Sequence, residues 1–158
     1  MTRRRNLLLL PAALLLARCG GPAPKPPAVL TLTMAGGSDQ NPDPSGNPAP
    51  LKVMVYQLGA TGKFESSDWT ALTEQEVPTL GQDETAAAQP FVIGPGETQT
   101  KTFEMKSGTQ AIGIVALYRD IDHATWRADA PVADSGPTKL TLTISKLAVK
   151  LAPTPPPK

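Results

Sequence analysis

Short segments in which apolar residues alternate with threonine constrain the fold of this chain more than any other feature of its sequence. Residues 29–35 (VLTLTMA) place leucine and methionine on one face and threonine on the other, and residues 140–145 (LTLTIS) repeat the pattern. A two-residue period of this kind is typical of a β-strand with one face buried and the other in water. We therefore expect sheets that pack through their apolar faces.

Further strands are predicted between turn signals along the chain. Residues 111–118 (AIGIVALY) are apolar without interruption, which indicates a central strand covered on both faces. The alternating apolar residues are even-numbered up to Ile144 and odd-numbered from Leu147, which predicts a bulge or bend near residues 145–146. The other predicted strands are 51–58, 89–93 and 98–105. Six or seven short strands with little helix are typical of an all-β protein, a two-layer antiparallel β-sandwich.

The segment after the second strand is the one with helical character. A Ser-Ser-Asp sequence at 66–68 offers N-caps, and the apolar pair Trp69 and Leu72 follows with helical spacing. These signals predict a short added helix over residues 67–73. The remaining segments are predicted to be irregular: 74–88, with one helical turn at 84–88, and 119–130, a loop or short helical excursion.

A long loop is predicted between the first two strands. Residues 36–50 (GGSDQNPDPSGNPAP) hold four prolines and three glycines and have no periodicity. Their Asn and Asp side chains can close local turns. The oxygen ligands of Asp39-x-Asn41-x-Asp43 are spaced as at the start of a calcium-binding EF-hand loop, but prolines occupy the positions that need glycine and glutamate. We therefore interpret the segment as a loop and reject a calcium site.

The amino terminus has the features of an export signal. In residues 1–18 (MTRRRNLLLLPAALLLAR) three arginines precede an eleven-residue apolar run, which is shorter than the roughly 20 residues of a membrane-spanning helix. The single cysteine, Cys19, follows in a Leu-Ala-Arg-Cys sequence that resembles the lipobox of bacterial lipoproteins. The predicted divisions are a lipoprotein signal peptide at 1–18, a lipidated Pro/Gly tether at 19–28, the β-sandwich domain at 29–152 and a flexible tail at 153–158.

Composition excludes several classes of function. Four of the 15 basic residues lie in the first 18, which leaves 11 basic against 14 acidic side chains in the rest of the chain. Nucleic-acid binding needs a clustered surplus of Lys and Arg. One Cys and one His exclude an internal disulfide and multi-Cys or multi-His metal sites. His123 stands beside Asp120 and Asp122 without a recognisable nucleophile motif, so we expect no enzyme, no cofactor and no small-molecule substrate.

Four segments carry a family resemblance. They are the lipobox with Cys19, the block 41–50 (NPDPSGNPAP) running into LKVMVYQL at 51–58, the helical segment from Phe64 to Leu72, and GIVALYRDI at 113–121 with Trp126-Arg127. In this order, over nearly all of the mature chain, they resemble the TssJ/VasD lipoproteins of the bacterial type VI secretion system. The resemblance implies a transthyretin-like antiparallel β-sandwich with a short added helix and a long loop between the first two strands.

The resemblance also implies a location and a partner. The protein would be lipid-anchored through Cys19 on the periplasmic face of the outer membrane, with that covalent lipid as its only bound group. It would bind the periplasmic C-terminal region of TssM, an inner-membrane protein, with TssL in the same complex. The residues implied in this contact lie in the loop between the first two strands: Asn41, Pro42, Asp43, Pro44, Ser45, Gly46, Asn47 and Pro48.

Other interpretations stay open from the sequence. A β-sandwich carrier would need a cavity with convergent polar groups, and an envelope assembly protein of the pilotin kind would use the same anchor. Cys19 could be a free thiol after an ordinary signal, since the lipobox has a small residue where Arg18 stands. Arg4-Arg5 leaves twin-arginine export as an alternative to Sec export, and Gly20 in place of aspartate favours the outer membrane.

Overall fold

The computed structural model describes residues 23–156, so the predicted signal segment, Cys19 and residues 157–158 lie outside the described residues. Within that range the eight strands are β1 Ala28–Gly36, β2 Leu51–Leu58, β3 Glu84–Ile93, β4 Thr98–Glu104, β5 Ala111–Leu117, β6 Arg127–Pro131, β7 Gly136–Ile144 and β8 Val149–Pro153. Three short helices of the same range, α1 Gly62–Ser66, α2 Trp69–Glu74 and α3 Glu76–Leu80, lie between β2 and β3. The strands form two sheets, in the order β4-β1-β7-β8 and β3-β2-β5-β6.

The two sheets confirm the predicted β-sandwich. Neighbouring strands are antiparallel except for β1 and β7, which run parallel from the Ala28–Gly136 pair to the Gly36–Ile144 pair. The alternating pattern of β1 has the predicted orientation, because Leu30, Leu32 and Met34 are fully buried while the threonines between them lie on the outer face. These side chains join aliphatic residues of β2, β5 and β7 in one core between the sheets.

A second apolar core lies on the outer face of the sheet that contains β2 and β5. Strand β5 is buried on both faces, as its unbroken apolar run predicts. On the outer face, Tyr56 of β2 and Val115 of β5 pack against Phe64, Leu72 and Leu80 of the three helices. Residues 59–83, called the helical insertion below, therefore cover a sheet face that would otherwise expose apolar side chains to water.

The helical insertion is larger than the single helix predicted at 67–73. The expectation of an irregular segment at 74–88 was wrong, because α3 and the first five residues of β3 lie there. Asp68, rather than a serine, caps α2 by accepting a hydrogen bond from the Ala71 N–H (2.7 Å). Ser66 and Ser67 instead donate to the Lys63 carbonyl oxygen at the end of α1.

Two strands or strand segments have weak local signals and were missed. The first half of β3, with three consecutive alanines, has little β-propensity, and its pairing with β2 makes it a strand. Strand β6, within the segment predicted as loop, is held by pairing with β5 from Ala111–Pro131 to Val115–Arg127. In both cases a neighbouring strand overrides the local preference.

The chain bends at Lys146 and Leu147, where a bulge or bend near residues 145–146 was predicted, but the bend lies in a connection between two strands rather than within one strand. A tight turn at 145–148 joins β7 to β8 as a hairpin, with the Ser145 N–H donating to the Ala148 carbonyl oxygen (2.8 Å). The alternation of apolar residues shifts by one position here because they belong to two paired strands, β7 and β8, rather than to one bent strand. Pairing also extends beyond residue 152, since the Thr154 N–H donates to the Lys139 carbonyl oxygen (3.0 Å).

The strand directions place the connections at two opposite ends. The loop pole carries four connections: 37–50, 94–97, 118–126 and 145–148. The tether pole carries residues 23–27 and the connections 105–110 and 132–135. Residues 23–27 are attached there by two contacts. The Gly136 N–H donates to the Pro27 carbonyl oxygen (3.2 Å), and Lys25 forms an ion pair with Asp134 (3.1 Å). The nine residues of β1 separate the poles by roughly 30 Å. None of the helices within residues 23–156 is long and apolar enough to cross a membrane.

Substitution of Gly113 tests the packing of the helical insertion on β5. A Cβ atom at Gly113 would lie 2.7 Å from Phe64 Cζ and 2.9 Å from Leu58 Cδ1, so Gly113→Ala displaces the Phe64 ring. We expect a loss of about 1–3 kcal/mol in the free energy of unfolding, measured by chemical denaturation. The control is Gly62→Ala, whose Cβ meets no atom within 4 Å, and an equal loss in both variants would contradict this packing.

Candidate functional site

The loop between β1 and β2 is fixed at its base by a buried glutamine. Gln40 is fully buried, and its Nε2 donates to the carbonyl oxygens of Ile93 (2.7 Å) and Ala49 (3.3 Å). Ile93 ends β3 and Ala49 precedes β2, so this one side chain ties the loop to the neighbouring sheet. These bonds satisfy the Nε2 donor, whereas Gln40 Oε1 is buried and no donor from the described residues reaches it.

Asn41 connects three of the four segments of the loop pole. Its Nδ2 donates to the Pro50 carbonyl oxygen (2.7 Å), its Oδ1 accepts from the Arg119 N–H (2.8 Å), and its own N–H donates to the Lys146 carbonyl oxygen (3.0 Å). Its φ of 46° lies in the left-handed region, which asparagine tolerates better than most residues. Asn41 is 3% exposed, so within the predicted binding loop it positions the other residues.

The loop tip, residues 43–48, is a closed turn that the chain braces itself. Asp43 Oδ1 accepts from the N–H groups of Ser45 and Asn47 (2.9 Å each), and the Asp43 N–H donates to the Asn47 carbonyl oxygen (2.8 Å). The Asn47 backbone N–H, the Asn47 side-chain amide and the Ser45 N–H keep the pKa of Asp43 below its ordinary value. The side chains from Pro44 to Pro48 are exposed.

A shallow depression of about 470 Å³ lies beside the loop tip. It contains charges of both signs from three connections: Asp43, Arg119, Asp120 and Lys146, with Pro42, Pro44 and Leu147 as apolar lining. At its edge His123 Nδ1 and Asp120 Oδ1 are 2.6 Å apart, a hydrogen bond that raises the pKa of His123. Both of these side chains are mostly exposed, and the contact is that of a surface pair.

The loop pole presents exposed polar and proline residues on a braced backbone. In the part of the chain from 23 to 156, no three His, Cys, Asp or Glu side chains lie close enough to hold a metal ion. A rigid, exposed, proline-rich protrusion loses little conformational entropy when a partner binds it. The fold and the site therefore define a β-sandwich domain that presents a preformed, exposed loop at one pole.

Comparison with a family profile and with curated sequences gives the family. The profile of the T6SS-SciN family, described as type VI secretion lipoproteins (VasD, EvfM, TssJ), matches residues 28–147. A search of curated proteins finds no match.

Solved structures give the same result. The chain is similar to the type VI secretion lipoprotein TssJ1 from Pseudomonas aeruginosa, with 31% identity and a TM-score of 0.79 over 84% of this chain and 100% of that chain. Lip, a membrane-bound component of the type VI secretion system of Serratia marcescens, has the same fold at 19% identity, with a TM-score of 0.73 over 82% of this chain and 99% of that one.

A third similar fold occurs in a structure described as the TssM C-terminal domain of the type VI secretion system from EAEC. The matched chain is 22% identical to this one, with a TM-score of 0.68 over 80% of this chain and 99% of that chain. The family profile and the TssJ1 structure identify the class as a secretion-system lipoprotein.

This chain belongs to the TssJ/VasD family of type VI secretion lipoproteins. The family resemblance and the fold class expected from the sequence are both confirmed. The family consists of membrane-associated structural lipoproteins, so the expectation that the chain is not an enzyme is also confirmed.

The structure separates the predicted binding residues into three groups. Asn41 is buried, Pro42 and Asp43 are half-buried, and residues 44–48 are exposed at the loop tip. Gln40 could not be recognised from the sequence as the buried support of the loop, because a glutamine in a polar segment is most often exposed. Arg119 and Lys146 were also missed as neighbours of the loop tip, since only the folded chain brings their connections together.

Substitution of Asn41 tests its role in holding the loop. Asn41→Gly retains access to a positive φ but removes the two side-chain hydrogen bonds, so the Pro50 carbonyl and the Arg119 N–H lose their partners. We expect a loss of about 1–3 kcal/mol in the free energy of unfolding, measured by chemical denaturation. The control is Ser45→Gly at the exposed loop tip, and unchanged stability of Asn41→Gly would exclude this role.

Proposed function

We propose that this protein anchors the type VI secretion trans-envelope complex to the outer membrane. In this proposal Cys19 carries the lipid on the periplasmic face of that membrane, and the loop tip binds the periplasmic C-terminal region of TssM. TssL belongs to the same complex through TssM. The observation that carries the proposal is a braced, exposed loop tip at the pole opposite the tether.

The separation of the two poles supports an orientation of the domain in which the loop tip points away from the outer membrane. The tether enters β1 at one end, and the loop tip follows β1 at the other, roughly 30 Å away. If the lipid holds the tether pole at the outer membrane, the loop tip faces the periplasm. A partner that extends from the inner membrane therefore meets the loop tip before any other part of the domain.

The hydrogen bonds of the loop support binding through a preformed surface. Gln40 and Asn41 fix the base of the loop, and Asp43 fixes its tip. Because these bonds exist before the partner arrives, binding costs less ordering entropy than it would for a flexible loop. The exposed Ser45 and Asn47 provide polar groups for hydrogen bonds across the contact.

A bulky charged side chain at the loop tip tests the TssM contact. Ser45 is exposed, and its side-chain hydroxyl makes no hydrogen bond among the described residues. Ser45→Arg should therefore leave the fold intact and weaken binding of the TssM periplasmic C-terminal region at least tenfold, a change of about 1.4 kcal/mol. Isothermal titration calorimetry measures the affinity, and circular dichroism checks the fold.

The matched control for this variant is Ser107→Arg, the same substitution in an exposed connection of the tether pole. Its affinity for TssM should equal that of the wild type. Equal affinity of the Ser45→Arg variant would remove the loop tip from the contact. Equal weakening by both substitutions would indicate a nonspecific effect of added charge and would also contradict the proposed site.

Removal of the lipid-bearing thiol tests the anchor independently. Cys19→Ser should abolish incorporation of a fatty-acid probe and move the protein from the outer-membrane fraction to the soluble periplasmic fraction. More than one acyl chain is needed for stable anchoring, so no other segment of the chain should replace the lost lipid. Labelling that survives Cys19→Ser, or an unlabelled wild type, would contradict the anchor without affecting the loop assignment.

A further inference from the structure

The helical insertion carries more negative than positive charge. Its sequence contains one cation, Lys63, and five acids: Glu65, Asp68, Glu74, Glu76 and Asp83. Lys63 Nζ donates to the Leu80 carbonyl oxygen (3.1 Å) and pairs with Asp83 (3.6 Å). Among the described residues, Lys63 therefore pairs with one of these five acids, Asp83.

Arg127 is the cation that β6 places against the helical insertion. Its Nη1 donates to the carbonyl oxygens of Phe64 (3.0 Å) and Ser67 (2.7 Å) at the end of α1, and its guanidinium stacks on the Trp126 ring (4.8 Å). The side chain is thus engaged by two carbonyl groups and an aromatic face. Neither Arg127 nor Lys63 forms an ion pair with Glu76 or with Glu84, the first residue of β3.

The start of β3 brings these two carboxyl groups, Glu76 and Glu84, together. The register between β2 and β3 shifts on both sides of the Gln57–Ala86 pair, so the first residues of β3 are bulged. A bulge leaves backbone groups outside the regular ladder, and the N–H of Ala88 donates instead to Glu76 Oε1 (2.7 Å). Glu84 Oε1 is buried, and no donor from the described residues reaches it.

Two carboxylates in a partly desolvated space repel each other. A proton held between them removes the repulsion and supplies a hydrogen bond between the two carboxyl groups. Burial is the largest cause that raises the pKa of Glu84, to about 8, followed by the hydrogen bond and charge of Glu76. Tyr56 of β2 faces both glutamates, and burial and their charges raise its pKa as well. The Tyr56 hydroxyl donates to the Leu72 carbonyl oxygen (3.0 Å), so it is not the donor that Glu84 Oε1 lacks.

We infer that Glu76 and Glu84 share one proton at neutral pH, and that this proton fastens α3 to β3 so that alkaline conditions loosen the helical insertion. Glu76 begins α3 and Glu84 begins β3, so the shared proton connects the first residue of the helix to the first residue of the strand across α3 and the 3-10 turn at Gly81–Asp83. When the proton is lost, two negative charges face each other without a cation. Loosening the insertion uncovers the apolar side chains of the second core, Tyr56 and Val115 among them.

The direction of the pH dependence follows from the two states of the chain. In the unfolded chain Glu84 titrates near its ordinary value of 4.5, whereas in the folded protein its pKa is about 8. Between these values the folded state binds one more proton than the unfolded state, so the free energy of unfolding falls as pH rises. The stabilisation that the extra bound proton contributes is fully present below about pH 4.5 and is lost once pH exceeds about 8.

Carboxyl carbon NMR of the mature protein in detergent micelles tests the inference directly. We expect one glutamate resonance, assigned to Glu84 by its absence from Glu84→Gln, to titrate near pH 8. We also expect thermal melting to show a fall in stability between pH 5 and 8 that is reduced in Glu84→Gln, because the glutamine amide donates to Glu76 at every pH. Glu74→Gln, at the exposed end of α2, is the matched control and should keep the pH dependence of the wild type.

Two results would overturn the inference. One is titration of Glu84 close to 4.5, which would mean that no proton is shared. The other is the same fall in stability in Glu84→Gln as in the wild type, which would place the pH dependence elsewhere. If Glu84→Gln is too unstable to study, Glu84→Asp assigns the same resonance by its loss, and the carboxyl titration of the wild type then gives the same decision.

Discussion

Strands β2 and β5 must be buried on both faces, and the rest of the architecture follows from that requirement. The sheet β4-β1-β7-β8 covers one face, and three short helices cover the other. Helices of five or six residues are not stable alone, so the apolar surface of the sheet supplies most of their stability. Gly113 permits the close approach of Phe64, and Arg127 fixes the end of α1. The added helical element is therefore a cover for the sheet.

The direction of β1 relates the fold to the function. The tether leads into β1 at one pole. At the other pole β1 leads into the loop, whose base is held by two buried amide side chains, Gln40 and Asn41. The sandwich between them is rigid, so in the proposed function the length of the domain sets the distance between lipid and partner. Glu76 lies in the helical insertion and Glu84 directly follows it, at the tether-side end of β3. A change in that insertion with pH would leave the base of the binding loop intact.

Local periodicity predicted the parts of the fold whose side chains alternate or are uniformly apolar. The bounds of β2 and the double burial of β5 agree with the sequence prediction. The first half of β3 and strand β6 could not be predicted, because alanines and aspartate there become strands only through pairing with β2 and β5. The same limit applied to the candidate site. Its proline-rich loop was recognisable from composition and family resemblance, whereas the burial of Asn41 depends on contacts with segments about 80 and 105 residues away in sequence.

Photocrosslinking in living cells tests the central claim, that the lipid and the partner are held at opposite poles, most directly. A photoreactive amino acid is placed at Asn47 in the loop tip in one strain and at Gln110 near the tether pole in another, both exposed positions. The account predicts a covalent adduct with TssM from position 47 and none from position 110. An adduct with TssM from position 110 alone would contradict it.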